Sequence, residues 1–451
     1  MPQLKRRIGT IEALFYGLGV IVGAGIYVLI APAAGFAGNA VWLSFLLAAA
    51  LATFTGLGYA ELGSMFPKAA AEYVYIRRAY KSHLFAFMLG WLIIFTGMVS
   101  ISAVSLGFTG YFADLFGVTE ETARYFVPLI SAGLIALMAF VNFLGIKETS
   151  RLNIIMTSVV IIGLLIIIFL AFGSGRIGTV DYFEMPNGLQ GVFLAASLIF
   201  FAYLGFEEIV NVAEETKHPR RVMPKAIILA VIISTALYVL TSISVVSLLG
   251  WLNLAESHAP LADAAAVVLG HNGELLLSGI ALLATASTVL GLILVVSRMI
   301  WGMSREGALP KFLSHIHARS TPAAAIVAVA VGSMAFVFLG DIEHVASVTS
   351  AGALIIFLNV NLALIWLRYT RPDMHRPFRV PLNIGKYPLV AGMGVFVSML
   401  MLFQFDLRIL WVAAVVVAAG VVMFLVYKRK DYTIFNQVRR LFKEIKIGAE
   451  R

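Results

Sequence analysis

Two stretches decide the fold: GLGVIVGAGIYVL, Gly17 to Leu29, and FFAYLGFEEIVNVAEE, Phe200 to Glu215. Both are apolar enough to belong to membrane helices, yet each carries glycine near its middle, and the second carries carboxylates as well. A lipid-exposed backbone cannot leave N–H and C=O groups unpaired, so an interrupted helix survives only inside protein or beside a watery cavity. Interruptions at corresponding places in two halves of a chain point to a binding site between them, which favours a solute carrier.

The surrounding composition agrees. Of 451 residues, 61% are hydrophobic and only 13% charged, against about 25% charged in soluble domains. About twelve stretches reach the ~20 apolar residues that a span requires. They fall near 10–33, 40–66, 82–113, 125–145, 153–173, 188–214, 222–250, 275–303, 322–340, 343–369, 386–405 and 408–428. The first lacks a small-residue cleavage site after MPQLKRRIG and reads as a retained span. With no cysteine, disulfides and thiolate chemistry are excluded. The net charge of +9 is explained by orienting loops rather than by nucleic acid. Lys and Arg crowd alternate connections, such as Lys68, Arg77, Arg78 and Lys81, or Lys217, Arg220, Arg221 and Lys225, while the intervening connections hold Asp114, Asp181, Glu184 and Glu256. That alternation places both ends in the cytoplasm, in the cytoplasmic membrane.

The expected fold is therefore all-α, a single membrane transport domain with about twelve spans. Repeat one covers about 10–173, repeat two about 188–369, spans 11 and 12 about 386–428, and an amphipathic cytoplasmic tail 429–451. Spans 1 and 6 are the broken ones and begin on opposite sides, so the two five-span units are inverted copies of the leucine-transporter type.

In span 1, unwinding at Gly23, Ala24 and Gly25 would free N–H groups suited to a carboxylate, and the carbonyls before it, around Ile21, would suit an ammonium. Close helix packing explains the same glycines. In span 6, Gly205 marks the break, with Phe201 and Leu204 before it and Glu207 and Glu208 after it. Carboxylates inside a span point to function; alternatively, both brace the unwound backbone. Glu214 and Glu215 sit where a salt bridge or gate is expected. Ser287 and Thr288 in span 8 are hard oxygen donors that suit Na+, or else hydroxyls bonded to their own helix. No catalytic constellation is present, so an enzyme is not expected.

Four blocks carry a family resemblance: Gly17–Leu29, Tyr59–Tyr80 (YAELGSMFPKAAAEYVYIRRAY), Gly205–Ile227 (GFEEIVNVAEETKHPRRVMPKAI) and Ser297–Pro310 (SRMIWGMSREGALP). The chain resembles the amino acid–polyamine–organocation (APC) transporter superfamily. The resemblance implies that Gly23, Ala24 and Gly25 hold a substrate carboxylate, that carbonyls of Ile21, Phe201 and Leu204 hold the α-ammonium, that Phe201 gates the site, and that Glu207 is the acid near the gate. The lysine that proton-coupled relatives often carry in span 5 is absent; its position is Val160, with Thr157 and Ser158 nearby. Coupling through Glu207 or Glu208 to protons, through Ser287 and Thr288 to Na+, and uncoupled exchange all stay open. Span 3 carries no acid, and Leu292 stands where arginine exchangers carry a stacking Trp, so a neutral amino acid is expected. Ser100, Ser102, Ser105, Phe108 and Tyr111 are candidates for the pocket wall. The expected partners are the amino acid and membrane lipid, with no nucleic acid, no obligatory protein partner and no cofactor beyond a possible Na+. Cationic amino acids or polyamines, or a non-transporting sensor, are the alternatives.

Overall fold

The computed structural model describes residues 4, 6–116, 120–317, 319–338 and 342–426. The expected amphipathic tail, 429–451, lies outside them, as does Asp341. Within the described residues the chain is helical apart from one two-stranded hairpin, Asn383–Ile384 with Tyr387–Pro388. Among the described residues, nine helical stretches are long and apolar enough to cross a membrane, and three shorter apolar helices accompany them.

The first stretch is α1 (Thr10–Ile21), α2 (Ala24–Ala37) and α3 (Val41–Met65). Val22 and Gly23 separate α1 from α2, with Gly23 at φ −109° and ψ −134°, outside the helical region. Glycine is required there by contact, because a Cβ on Gly23 would sit 1.7 Å from the Thr288 hydroxyl oxygen. After α3 a short helix, α4 (Ala71–Tyr80), precedes the long α5 (His83–Leu115), α6 (Glu120–Leu144) and α7 (Ile146–Gly173).

The second interrupted element departs from the expected helix over 188–214. Only α8 (Gly188–Ile199) is α-helical. A 3-10 turn over Phe200–Tyr203 follows, Leu204 is extended, and Gly205 takes φ +135°. The chain then runs as a nine-residue 3-10 helix, Glu207–Glu215. Runs beyond three or four residues are uncommon in this form. Its rise of about 2.0 Å per residue, against about 1.5 Å in an α-helix, lets the same residues reach farther. That reach joins the break to a fixed far end, where Glu215 O accepts the N–H groups of Arg7 and Ile8, and Ile8 O accepts that of Lys217.

Next come α9 (Pro219–Leu249), then two short helices, α10 (Trp251–Glu256) and α11 (Pro260–Leu269), in the connection between the spans expected near 222–250 and 275–303. Pro260 opens α11, its fixed φ suiting a first helical turn. The chain closes with α12 (His271–Arg305), α13 (Ala323–Val337), α14 (Ile342–Thr370), α15 (Leu389–Leu402) and α16 (Leu407–Val426). Helix α12 forms the centre: its residues from Ala284 to Ser304 are buried without interruption, and it packs on α1, α5, α6, α7 and α13. Helix α16 keeps Trp411, Val415 and Val422 more than 60% exposed, as a lipid-facing helix would.

Candidate functional site between the two breaks

The two interruptions touch. A Cβ on Gly205 would lie 2.9 Å from the backbone N of Ile21, and a Cβ on Gly25 would lie 2.5 Å from Cα of Ala202. Each break needs the other's missing side chain. Tyr238 of α9 ties them together, its hydroxyl reaching both Ile21 O and Ala202 O, the latter at 2.9 Å. Its single proton is shared between two carbonyls that helix interruption would otherwise leave unpaired.

Beside this junction is a cavity of about 60 Å³. The first break contributes Val20, Ile21 and Gly25, and the second contributes Phe201, Leu204, Gly205, Glu207 and Glu208. Facing them are Ile93, Thr96, Gly97 and Ser100 of α5, Thr288 and Leu292 of α12, and Thr349, Ala353, Ile356 and Phe357 of α14, with Tyr59 and Glu72 closing the rim. Of the serines and aromatics considered for the wall, only Ser100 lies there. Ser105 turns to Ile101 O at 2.6 Å, Tyr111 donates to Tyr27 O at 2.8 Å, and Ser102 and Phe108 do not line the cavity.

Gly23, Ala24 and Ser287 sit behind the cavity rather than on its surface. The Ala24 N–H points to Thr288 Oγ1 at 3.3 Å, and that hydroxyl donates to Ala284 O at 3.1 Å. Ser287 donates to Gly19 O at 3.3 Å. The first-turn N–H groups of Gly25 and Ile26 head α2 without intrahelical acceptors. Phe201 O is taken by Leu204 N–H at 3.2 Å.

The two glutamates differ. Glu207 accepts the Gly205 N–H at 2.8 Å, bracing the break. Glu208 Oε2 is buried and has no partner among the described residues. Sequence reasoning missed a third carboxylate, Glu72 of α4, which accepts from Asn211 Nδ2 at 3.3 Å, while Asn211 Oδ1 accepts the Ala71 N–H at 3.1 Å. Burial pushes the Glu72 carboxyl up to about 7. The available signal was a glutamate in an otherwise apolar AAAEYVY run within the second block. Among the described residues, no lysine or arginine lines this cavity.

Beyond the second break, ion pairs close the structure. Arg298 of α12 meets Glu215 in the interior, and Arg305 meets Glu214 at 2.7 Å. Glu306 accepts from Arg77 and lies 3.7 Å from Lys68. A second buried cluster joins Glu61 of α3 to Arg368 at 2.6 Å, to Arg376 at 3.2 Å and to the Val380 N–H at 2.8 Å. On α7, where a span 5 lysine is missing, Thr157 and Asn153 press on Gly19. The Thr157 hydroxyl and both polar atoms of the Asn153 amide have no partner among the described residues.

A profile of the family described as amino acid permease matches residues 8–427. The chain belongs to the amino acid permease family. The four-block resemblance thus holds across nearly the whole chain, and the protein is a multi-pass membrane transporter rather than an enzyme. The permease is 31% identical to the branched-chain amino acid permease BcaP of Bacillus subtilis, covering 95% of this chain and 94% of that one. It is 28% identical to the methylthioribose transporter of the same organism, covering 96% of each. It is 31% identical to the vacuolar cationic amino acid transporter 4 of Arabidopsis thaliana, over 82% of this chain and 64% of that longer one.

Proposed function

We propose that the permease moves neutral amino acids across the cytoplasmic membrane by alternating access, coupled to protons. The observation that carries this reading is the asymmetry of the cavity. The side facing the breaks, where Ile93, Gly97, Leu292, Ile356 and Phe357 alternate with Thr96, Ser100, Thr288 and Thr349, is uncharged and suits an uncharged side chain, while the breaks offer main-chain polar groups for the carboxylate and ammonium. The relative named for branched-chain amino acids supports the neutral class. The topology that goes with it is twelve spans in two inverted repeats with both ends cytoplasmic. The bundle containing both breaks rocks against α5, α12 and α14, with Phe201 over the substrate. Glu207 and Glu208 carry the coupling proton, Glu208 having an oxygen with no partner among the described residues.

A second reading, Na+ coupling through Ser287 and Thr288, is favoured by one observation. The unpartnered Asn153 and Thr157 oxygens crowd Gly19, whose carbonyl already takes Ser287, so hard oxygens gather at one place. Exchange, a cationic or polyamine substrate, and a non-transporting sensor are the remaining alternatives; the relatives named for cationic amino acids keep the second of these in view.

The deciding experiment is uptake of a panel of labelled amino acids by purified protein in liposomes under a proton gradient, a Na+ gradient or neither. Accumulation of neutral amino acids driven by protons alone is the expected result. Drive by Na+ alone transfers the coupling to the helix α7–α12 oxygens. Exchange without any driven accumulation makes the permease an antiporter, and binding without flux makes it a sensor.

A further inference from the structure

Away from the substrate cavity, a second hollow of about 370 Å³ lies where α4 ends and α5 begins, against the end of α12 and the chain after α14. Among the described residues, Lys68, Arg77, Arg78, Lys81 and Arg371 line it and Glu306 is its single carboxylate, an excess of four positive charges. Glu306 is already engaged by Arg77 and Lys68. Among the described residues Arg78, Lys81 and Arg371 have no ion pair, so three cations face the hollow uncompensated. Basic residues at a cytoplasmic surface are ordinarily dispersed and solvated; here they converge on a concavity.

Two further features distinguish it. Lys81 closes α4 in the left-handed conformation, φ +55° and ψ +19°, with its N–H on Arg77 O. Glycine is the usual residue at such a cap, so the chain keeps a long cation where a bare backbone would be easier. Next to the hollow is a ledge of rings: Tyr80 packs on Phe85 at 5.4 Å and on Trp366 at 6.1 Å between centroids. Trp366 is 49% exposed and Tyr369 53%. Half-exposed Trp and Tyr at a helix end mark the depth of lipid headgroups.

We propose that this hollow binds the phosphate-bearing headgroup of an anionic phospholipid, with the acyl chains lying along the Tyr80–Trp366 ledge. Basic hollows between membrane helices recognise such groups through charge-assisted hydrogen bonds. The chemistry shared with free phosphate is the phosphate oxygens; the ring ledge is what favours the lipid. The site is separate from the transport cavity, and its success or failure is independent of the substrate.

The test is the melting temperature of the detergent-purified full chain titrated with phosphatidylglycerol, phosphatidylcholine or inorganic phosphate. Phosphatidylglycerol should raise it and the other two should not. The Arg78→Ala/Lys81→Ala variant should need about thirtyfold more phosphatidylglycerol for the half-maximal rise, each lost charge contributing about a factor of five. Lys147→Ala/Arg151→Ala removes equal charge elsewhere and should behave as the parent. Should the first variant fail to fold, Lys81→Gln alone serves, with an expected shift of about fivefold. An equal rise with phosphatidylcholine, an equal rise with phosphate, or equal loss in the Lys147/Arg151 variant would overturn the proposal.

Discussion

Arg298 and Glu215 form a two-point pair inside the protein, Nε to Oε2 at 3.1 Å and Nη2 to Oε1 at 3.2 Å, with side chains 0% and 1% exposed. The pair joins the central helix α12 to the far end of the second interrupted element. Removing one partner strands a buried charge, which costs about 3–5 kcal/mol, whereas replacing both by apolar groups is often close to neutral. Arg298→Met should therefore lower thermal stability severely, and Arg298→Met/Glu215→Met should recover most of the loss. A double variant as unstable as the single one would show that the pair itself, not the stranded charge, sets stability.

Gly25 makes a sharper test of the junction. An added Cβ meets Ala202 backbone at 2.5 Å, which cannot swing away as a side-chain end could. Gly25→Ala should cost about 1–3 kcal/mol in overpacking and abolish uptake by forcing the breaks apart. Gly279→Ala on α12, where an added Cβ meets nothing within 4 Å, should leave uptake intact. Uptake by the Gly25 variant at the parent rate would mean that the contact is not needed in any working state.

Tyr238→Phe removes the hydroxyl that bridges Ile21 O and Ala202 O. Leaving a buried carbonyl unsatisfied costs about 1–3 kcal/mol. The expected result is a folded permease with weakened substrate binding, measured as a raised half-saturation concentration in uptake. Unchanged saturation would release Tyr238 from any role at the site.

Glu207→Gln keeps an oxygen that can accept from Gly205 N–H while abolishing titration. Under proton coupling through this residue, driven accumulation should fall to background while exchange of preloaded substrate continues. Driven accumulation at the parent level would instead assign Glu207 to bracing alone.

Glu72 supplies a pH dependence. Its carboxyl is raised by burial from an ordinary 4.5 to about 7. The folded chain thus holds this proton more tightly than the unfolded chain does. The resulting stabilisation is full below about 4.5, declines as pH rises, and is gone above about 7. Melting temperatures recorded from pH 4.5 to 8 should show that decline in the parent and a shallower one in Glu72→Gln. Parallel curves for the two proteins would remove Glu72 as its source.

The sequence exposed the breaks because the backbone's need for partners in lipid makes glycine in an apolar run conspicuous. That argument pointed to Gly25 and Gly205, which line the cavity, whereas the place of Phe201 beside them came from the family resemblance. The sequence was silent on what packs against them. Glu72, Tyr59 and Thr349 reach the same cavity from elements distant in the chain, and no periodicity records which distant faces meet. The 3-10 course of Glu207–Glu215 was likewise hidden, since the apolar spacing over nine residues fits either helix. Ser287 and Thr288 were recognisable as oxygen donors, but their present partners, Gly19 O and Ala284 O, became visible only in three dimensions. Asn153 and Thr157 stand four apart, as one helix face requires, yet nothing in that spacing says that Gly19 lies opposite.

The short parallel bridge between Ile8 and Thr216 ties the leading end of the chain to the segment after the second break. A spectroscopic label at Arg6 would then report displacement of Glu215 and its neighbours, not the wandering of a free terminus. Bulky fusions placed directly ahead of Ile8 would load that bridge and, through it, the segment after the second break.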